Sequence, residues 1–195
     1  MALNDNANVV AATGFLFFGD VGIEVPDNWE TADLAANPSE LVGLENVGHT
    51  SLEDLPEFGS DGGDSTTLGS WQRKVLRQQQ TEASTDYLTF QPYQFDHNVL
   101  EMYWGIGETT AGRFDIYEVG ARKLEKSFLV VIVDGAVRVG FFASRVSFSR
   151  EDSLALSTEN FAQWPIRATF LQYQNQPLLS FLGDEIQPAE TEPAA

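Results

Sequence analysis

The sequence predicts a mainly β fold with one flanking α-helix, arranged as a β-sandwich or small barrel. Three observations point there: several short stretches alternate apolar and polar residues, an Asp-Gly pair separates two apolar runs, and one segment carries both a helix start and a helix stop. The chain has 195 residues, 43% of them hydrophobic, with 14 Phe, 4 Trp and 5 Tyr, enough apolar area for a folded core. We expect a single domain over residues 1–185, with a long acidic loop at about 26–70 and a disordered acidic Pro/Ala tail at 186–195.

In chain order, Gly14 to Phe18 within TGFLFFGDVGIEV reads as a short strand followed by a turn. Residues 26–70 are mostly Asp, Glu, Asn, Ser, Thr, Gly and Pro and keep no period, except for one short strand expected within Ser39–Gly48. A structureless run of about 40 residues is long for a compact domain, which implies function or order imposed by a partner. SWQRKVLRQQQT sets Trp71, Arg73, Val75 and Arg77 against Gln72, Lys74, Leu76 and Gln78. It reads as a strand with neither face wholly apolar, suited to meeting another subunit or a solvent channel.

Thr85 to Tyr93 fits a strand or a short turn of helix. The helix signal follows: Asp96 caps HNVLEMYW, Phe95 and Leu100 have the spacing of a hydrophobic staple, and Gly105 supplies the left-handed stop. Leu129–Val133, the Asp134-Gly135 turn and Val137–Phe142 make a β-hairpin, and Arg145 begins a further alternating stretch. Trp164–Tyr173 is the last expected strand, with Ile166, Ala168 and Phe170 on its core face.

Charge excludes one function class. The formal net charge is −18, and residues 1–72 contain no Lys or Arg, while all 11 bases fall within 73–167. Duplex binding depends on Lys and Arg displacing counterions from phosphates, so this surface repels nucleic acid. No apolar run approaches the roughly 20 residues that cross a bilayer, and the N-terminus MALNDNANVV lacks the basic start of a secretory signal. The chain has no cysteine, which removes disulfides and thiolate chemistry.

Candidate catalytic and metal sites fail on spacing. LENVGHTSLEDLPEFG holds His49 among acids, yet the downstream Asp61 and Asp64 are three apart and miss a calcium loop's ligand positions. His97 shares no short motif with His49. GIGETTAG, Gly105 to Gly112, lacks a phosphate-binding Lys and reads as a loop. Adjacent acids such as Glu53-Asp54 and Glu151-Asp152 are read as solvated. No catalytic, cofactor or metal residue is assigned, and the chemistry left is association.

The order of features resembles the major tail proteins of long-tailed bacteriophages, particularly those of actinobacterial hosts. It rests on ATGFLFFGDVG, on Asn46-Val47-Gly48-His49-Thr50-Ser51 with Asp54, on an acidic Gly/Ser loop running into Ser70-Trp71-Gln72, and on the positions of the helix and hairpin. The resemblance implies a non-enzymatic virion protein of the tail tube fold type. It would form hexameric rings that stack into a hollow tube, made in the host cytoplasm. Its implied partners are further copies of itself, a tape measure protein in the lumen, and tail terminator and tail tip proteins; DNA would pass without specific binding. Lumenal acids would then repel phosphates. Leu52, Leu55 and Phe58 are candidate apolar subunit contacts, and Arg73 and Arg77 candidate partners for a neighbour's acids. A type VI secretion tube subunit, a tail terminator and a soluble acidic hydrolase or binding domain remain as rivals.

Overall fold

The computed structural model describes residues 8–37, 40–117, 122–184 and 186, so the tail expected at 186–195 lies, apart from Ile186, outside the described residues. The elements are β1 (Thr13–Gly19), β2 (Leu44–Asn46), β3 (Glu57–Asp61), β4 (Ser65–Leu68), β5 (Arg77–Gln80), β6 (Thr85–Phe90), α1 (His97–Trp104), β7 (Glu108–Thr110), β8 (Arg113–Asp115), β9 (Glu125–Asp134), β10 (Val137–Arg150), β11 (Ile166–Phe170) and β12 (Ser180–Leu182). The protein is mainly β with one helix among the described residues, as the alternation predicts. Two compact units divide the chain: Met1–Gly48, Glu125–Val146 and Gln172–Ala195 make the first, His49–Leu124 and Ser147–Leu171 the second.

In the first unit the strands run in the order β2, β1, β9, β10, and β12 also pairs with β10. β1 lies antiparallel to β9 from Thr13 opposite Val133 to Gly19 opposite Ser127. The Phe-rich N-terminal run therefore meets the β-branched run directly, and Phe17 opposes Leu129 with both fully buried. Burying side chains of this size contributes roughly 2–3 kcal/mol each. The hairpin closes through Gly135 and Ala136 rather than the expected Asp134-Gly135 pair, because Asp134 still ends β9 and Gly135, at φ +60, takes the first turn position. The Asp134 carboxylate accepts from the Val10 amide at 2.9 Å, which ties the leader beside the turn.

The long loop expected at 26–70 is more ordered than its composition suggests. Trp29, Ala32, Leu34, Leu41 and Leu44 are buried in one cluster with Phe17, Leu129, Val131 and Phe142. Their spacing shows no period because short turns deliver them: the Ala32 amide donates to the Asn28 carbonyl at 2.9 Å, and the Asn37 amide to the Asp33 carbonyl at 2.8 Å. Arg138 fixes this stretch by donating to the carbonyls of Trp29 at 3.2 Å and Ala32 at 2.7 Å. The same stretch holds β2, β3 and β4. The order comes from the chain itself at these positions.

In the second unit the order continues from β10 through β11 and β6 to β3. β6 pairs antiparallel with β11, Ile166 opposite Phe90, and with β3, Phe58 opposite Leu88. Thr85–Phe90 is thus a strand, settling the choice between strand and helical turn. Leu88, Phe90, Phe148, Ile166 and Ala168 are buried, and the Phe90 and Phe148 rings meet edge to face at 6.2 Å. On α1, Asp96 accepts from the Val99 amide at 2.9 Å, and Val99, Met102 and Tyr103 are buried. Gly105 stops the helix at φ +94, a backbone state that side chains rarely adopt. Phe95 turns edge-on to Trp164, with ring centroids 4.8 Å apart.

Three further expectations are corrected. Residues 71–76 are not strand: the Ser70 amide donates to the Arg73 carbonyl at 2.7 Å and the Arg73 amide back to the Ser70 carbonyl at 3.1 Å, folding a turn. Pairing resumes only at Arg77, opposite Leu68. Gly105 to Gly112 is not a plain loop, because Glu108–Thr110 pairs with Arg113–Asp115 across a short turn. β11 is not the last strand, since Ser180–Leu182 returns to pair with β10.

Candidate assembly interface

The segment that raises the question of a site is held by backbone bonds. The His49 amide donates to the Gln94 side chain at 3.2 Å and the Tyr93 amide to the His49 carbonyl at 2.9 Å, while Thr50 bridges Pro92. The Ser51 hydroxyl, buried, accepts from the Asp54 amide at 3.0 Å and shapes the turn that follows. His97 is engaged elsewhere, with Nδ1 2.8 Å from the Thr109 hydroxyl and its ring edge-on to Phe114. Among the described residues no three His, Asp or Glu converge in a way that would hold a metal ion.

Past Asp61 the chain leaves the core. Gly62 and Gly63 sit at φ +77 and +80, where a side chain would be strained, and this pair turns the backbone from β3 into a hairpin arm. β4 and β5 pair from Ser65 opposite Gln80 to Leu68 opposite Arg77. Every residue from Asp64 to Asp86 is exposed. Thr and Gln dominate the paired strands, but the outer half carries Leu68, Val75 and Leu76, each at least 49% exposed, and Trp71 at 98%. An indole so fully in water leaves nearly all of its apolar area uncovered. Arg73, Lys74 and Arg77 stand among these residues and are the only bases before Arg113.

The residues singled out from the sequence fall in two places. Leu52 and Leu55 lie exposed in the turn segment before β3, and Phe58 lies half-exposed on β3 with its ring 6.2 Å from that of Phe170. Arg73 is in the arm's turn and Arg77 opens β5, so the two sit on the arm without sharing one strand face. Sequence reasoning missed the apolar cluster of the arm. Its signal was four large apolar residues within nine positions, flanked on both sides by Thr and Gln.

A cationic clasp holds the base of the arm. Arg167 on β11 donates to Glu151, with one bond at 2.8 Å, and to Asp61 at the end of β3, while its guanidinium lies 3.8 Å from the Tyr87 ring centroid. Hydrogen bonding to Glu151 first, and to Asp61 as well, pushes the Arg167 guanidinium above its ordinary range, against the opposing pull of burial. β3 is the outermost strand of its order, so the clasp fixes an edge whose other side is open among the described residues.

Comparison with known proteins assigns the class. The chain is a structural component of a virion tail, and its relatives are structural proteins rather than enzymes. It belongs to the phage tail tube protein family, whose model matches residues 1–194. It is similar to the major tail protein Gp23 of Mycobacterium phage D29, 38% identical over 192 residues covering 95% of this chain and 96% of that one. The major tail protein Gp23 of Mycobacterium phage L5 is 37% identical over 191 residues, with the same coverage. No helix among the described residues is long and apolar enough to cross a membrane.

Proposed function

We propose that copies of this chain close into hexameric rings that stack into the hollow tail tube, with part of its acidic surface facing a lumen through which DNA passes without adhering. The observation that supports this most directly is the hairpin arm: an exposed ribbon ending in Leu68, Trp71, Val75 and Leu76 gains little as part of a lone subunit and much as a contact between copies. Charge supports the lumen. With a net charge of −18, acids facing inward would repel phosphates over the length of the tube. Leu52, Leu55, Phe58, Arg73 and Arg77 serve as subunit contacts, and the open edge at β3 offers a strand for a neighbour to continue. A tape measure protein fills the lumen during assembly, and terminator and tip proteins close the two ends.

Negative-stain microscopy of the purified protein tests the reading. Long hollow tubes are expected; single rings that never stack would favour a terminator role, and a monomer at every concentration would end the proposal. Replacing lumen-facing Asp and Glu by Lys should leave the tubes intact and slow DNA ejection from reconstituted particles. Unchanged ejection would remove the repulsion mechanism alone.

A further inference from the structure

The first unit contains a groove of about 660 Å³ that suits the arm. Its floor is apolar, formed by Val9, Ile132, Val139 and Phe141, and two carboxylates, Glu30 and Asp184, stand in its lining. Arg138 also lines it, and its guanidinium already donates to the carbonyls of Trp29 and Ala32. A second cleft among the described residues, about 500 Å³ in the second unit, also holds carboxylates, Asp54, Glu151 and Asp152, but most of its lining residues are polar, so it gives an indole less apolar cover.

We infer that this groove receives the arm of a second copy, with Trp71 on the apolar floor and Arg73, Lys74 or Arg77 meeting Glu30 and Asp184. Two independent features of the chain agree on this occupant. The arm carries the most exposed large apolar side chain described, Trp71, and the groove has the volume and the apolar floor to cover it. The arm also concentrates three cations in a region otherwise without them, and two carboxylates, Glu30 and Asp184, stand in the groove lining. Apolar cover and opposite charge together give both affinity and orientation. Arg138 adds a cation in the groove lining, the charge that an aromatic face attracts. The inference rests on self-assembly as proposed above, and it names the surface that an arm must find.

The absence of native cysteine allows a clean test. Gln72→Cys, which keeps Trp71, and Val139→Cys proteins are prepared separately, mixed, assembled under mild oxidation and run on non-reducing gels. A covalent dimer of one Gln72→Cys and one Val139→Cys chain, distinguished by a mass tag, is expected. It should be far weaker when Leu156→Cys, exposed in the second unit, replaces Val139→Cys. Because exposed Trp71 adds little to the fold, a companion Trp71→Ala protein should keep its circular dichroism and raise the concentration needed for assembly about tenfold or more. Assembled tubes with no dimer between positions 72 and 139 would overturn the groove assignment and leave the tube intact. Failure of the unmodified chain to assemble at all would overturn both.

Discussion

Replacing Arg167 by Met removes the clasp while keeping most of the apolar stem. Arg167 is 25% exposed and Glu151 31%, so their bidentate pair sits partly out of water, whereas Asp61 is 57% exposed. A charge-assisted pair of the first kind contributes about 1.5–3 kcal/mol. The Asp61 contact, screened by solvent, adds less than about 0.5 kcal/mol. Stacking on Tyr87 adds about 0.5–1 kcal/mol. Relief of the Arg167 desolvation cost offsets part of this, leaving a net loss of about 2 kcal/mol. For a chain of this size that lowers Tm by about 4–8 °C. Urea unfolding followed by tryptophan fluorescence, at concentrations where the protein is monomeric, measures the loss. Glu151→Gln and the double variant complete a cycle whose coupling is expected near 1–2 kcal/mol. A loss under about 0.5 kcal/mol, or additive single effects, would refute the view that Arg167 holds β3 and the end of β10 together.

Two further outcomes follow from contacts already described. Asp96→Ala should cost about 1 kcal/mol by freeing the Val99 amide, and Asp96→Asn should recover most of it; equal losses from both in urea titrations would mean that the cap hydrogen bond is not the source. Lys126, donating to Asp20 at 2.9 Å, holds the Asp20 carboxyl below its ordinary 3.8, first by that hydrogen bond and then by charge. A lowered carboxyl stabilises the fold above its unfolded value and loses that contribution as pH falls through the folded value. In Lys126→Met the Asp20 resonance should therefore titrate closer to 3.8 in NMR spectra, and an unchanged midpoint would exclude the pair as the cause.

Elements with a local code were legible in the sequence. Asp96 and Gly105 bound the helix by their own hydrogen bonds and dihedral angles, and Gly135 sets the long hairpin one residue later than the Asp-Gly pair suggests, so each is readable within a few residues. Elements defined by what they pack against were not. Trp29, Leu34 and Leu41 lie among acids and prolines, and only the β1–β9 face that they cover gives them meaning. The strand expected at Trp71–Gln78 failed for a related reason. Its alternation carried no single apolar face, and the Ser70–Arg73 turn takes the first half of it. The proposed contact residues were chosen from the sequence by residue type and spacing, not by place: Arg73 and Arg77 share an arm that became visible only once Leu68 and Arg77 were seen to face each other, while Leu52, Leu55 and Phe58 lie outside it.

The arm also bears on timing. Its four paired positions, mostly Ser, Thr and Gln, rest on no apolar floor of their own, and a two-stranded ribbon of this kind is marginal in water. Such hairpins form within about 1–10 μs. At micromolar subunit concentration, ordinary association rates bring productive encounters only about 0.1–10 times per second. The ribbon thus opens and closes many thousands of times between encounters, so in the proposed assembly the arm's own folding does not limit growth.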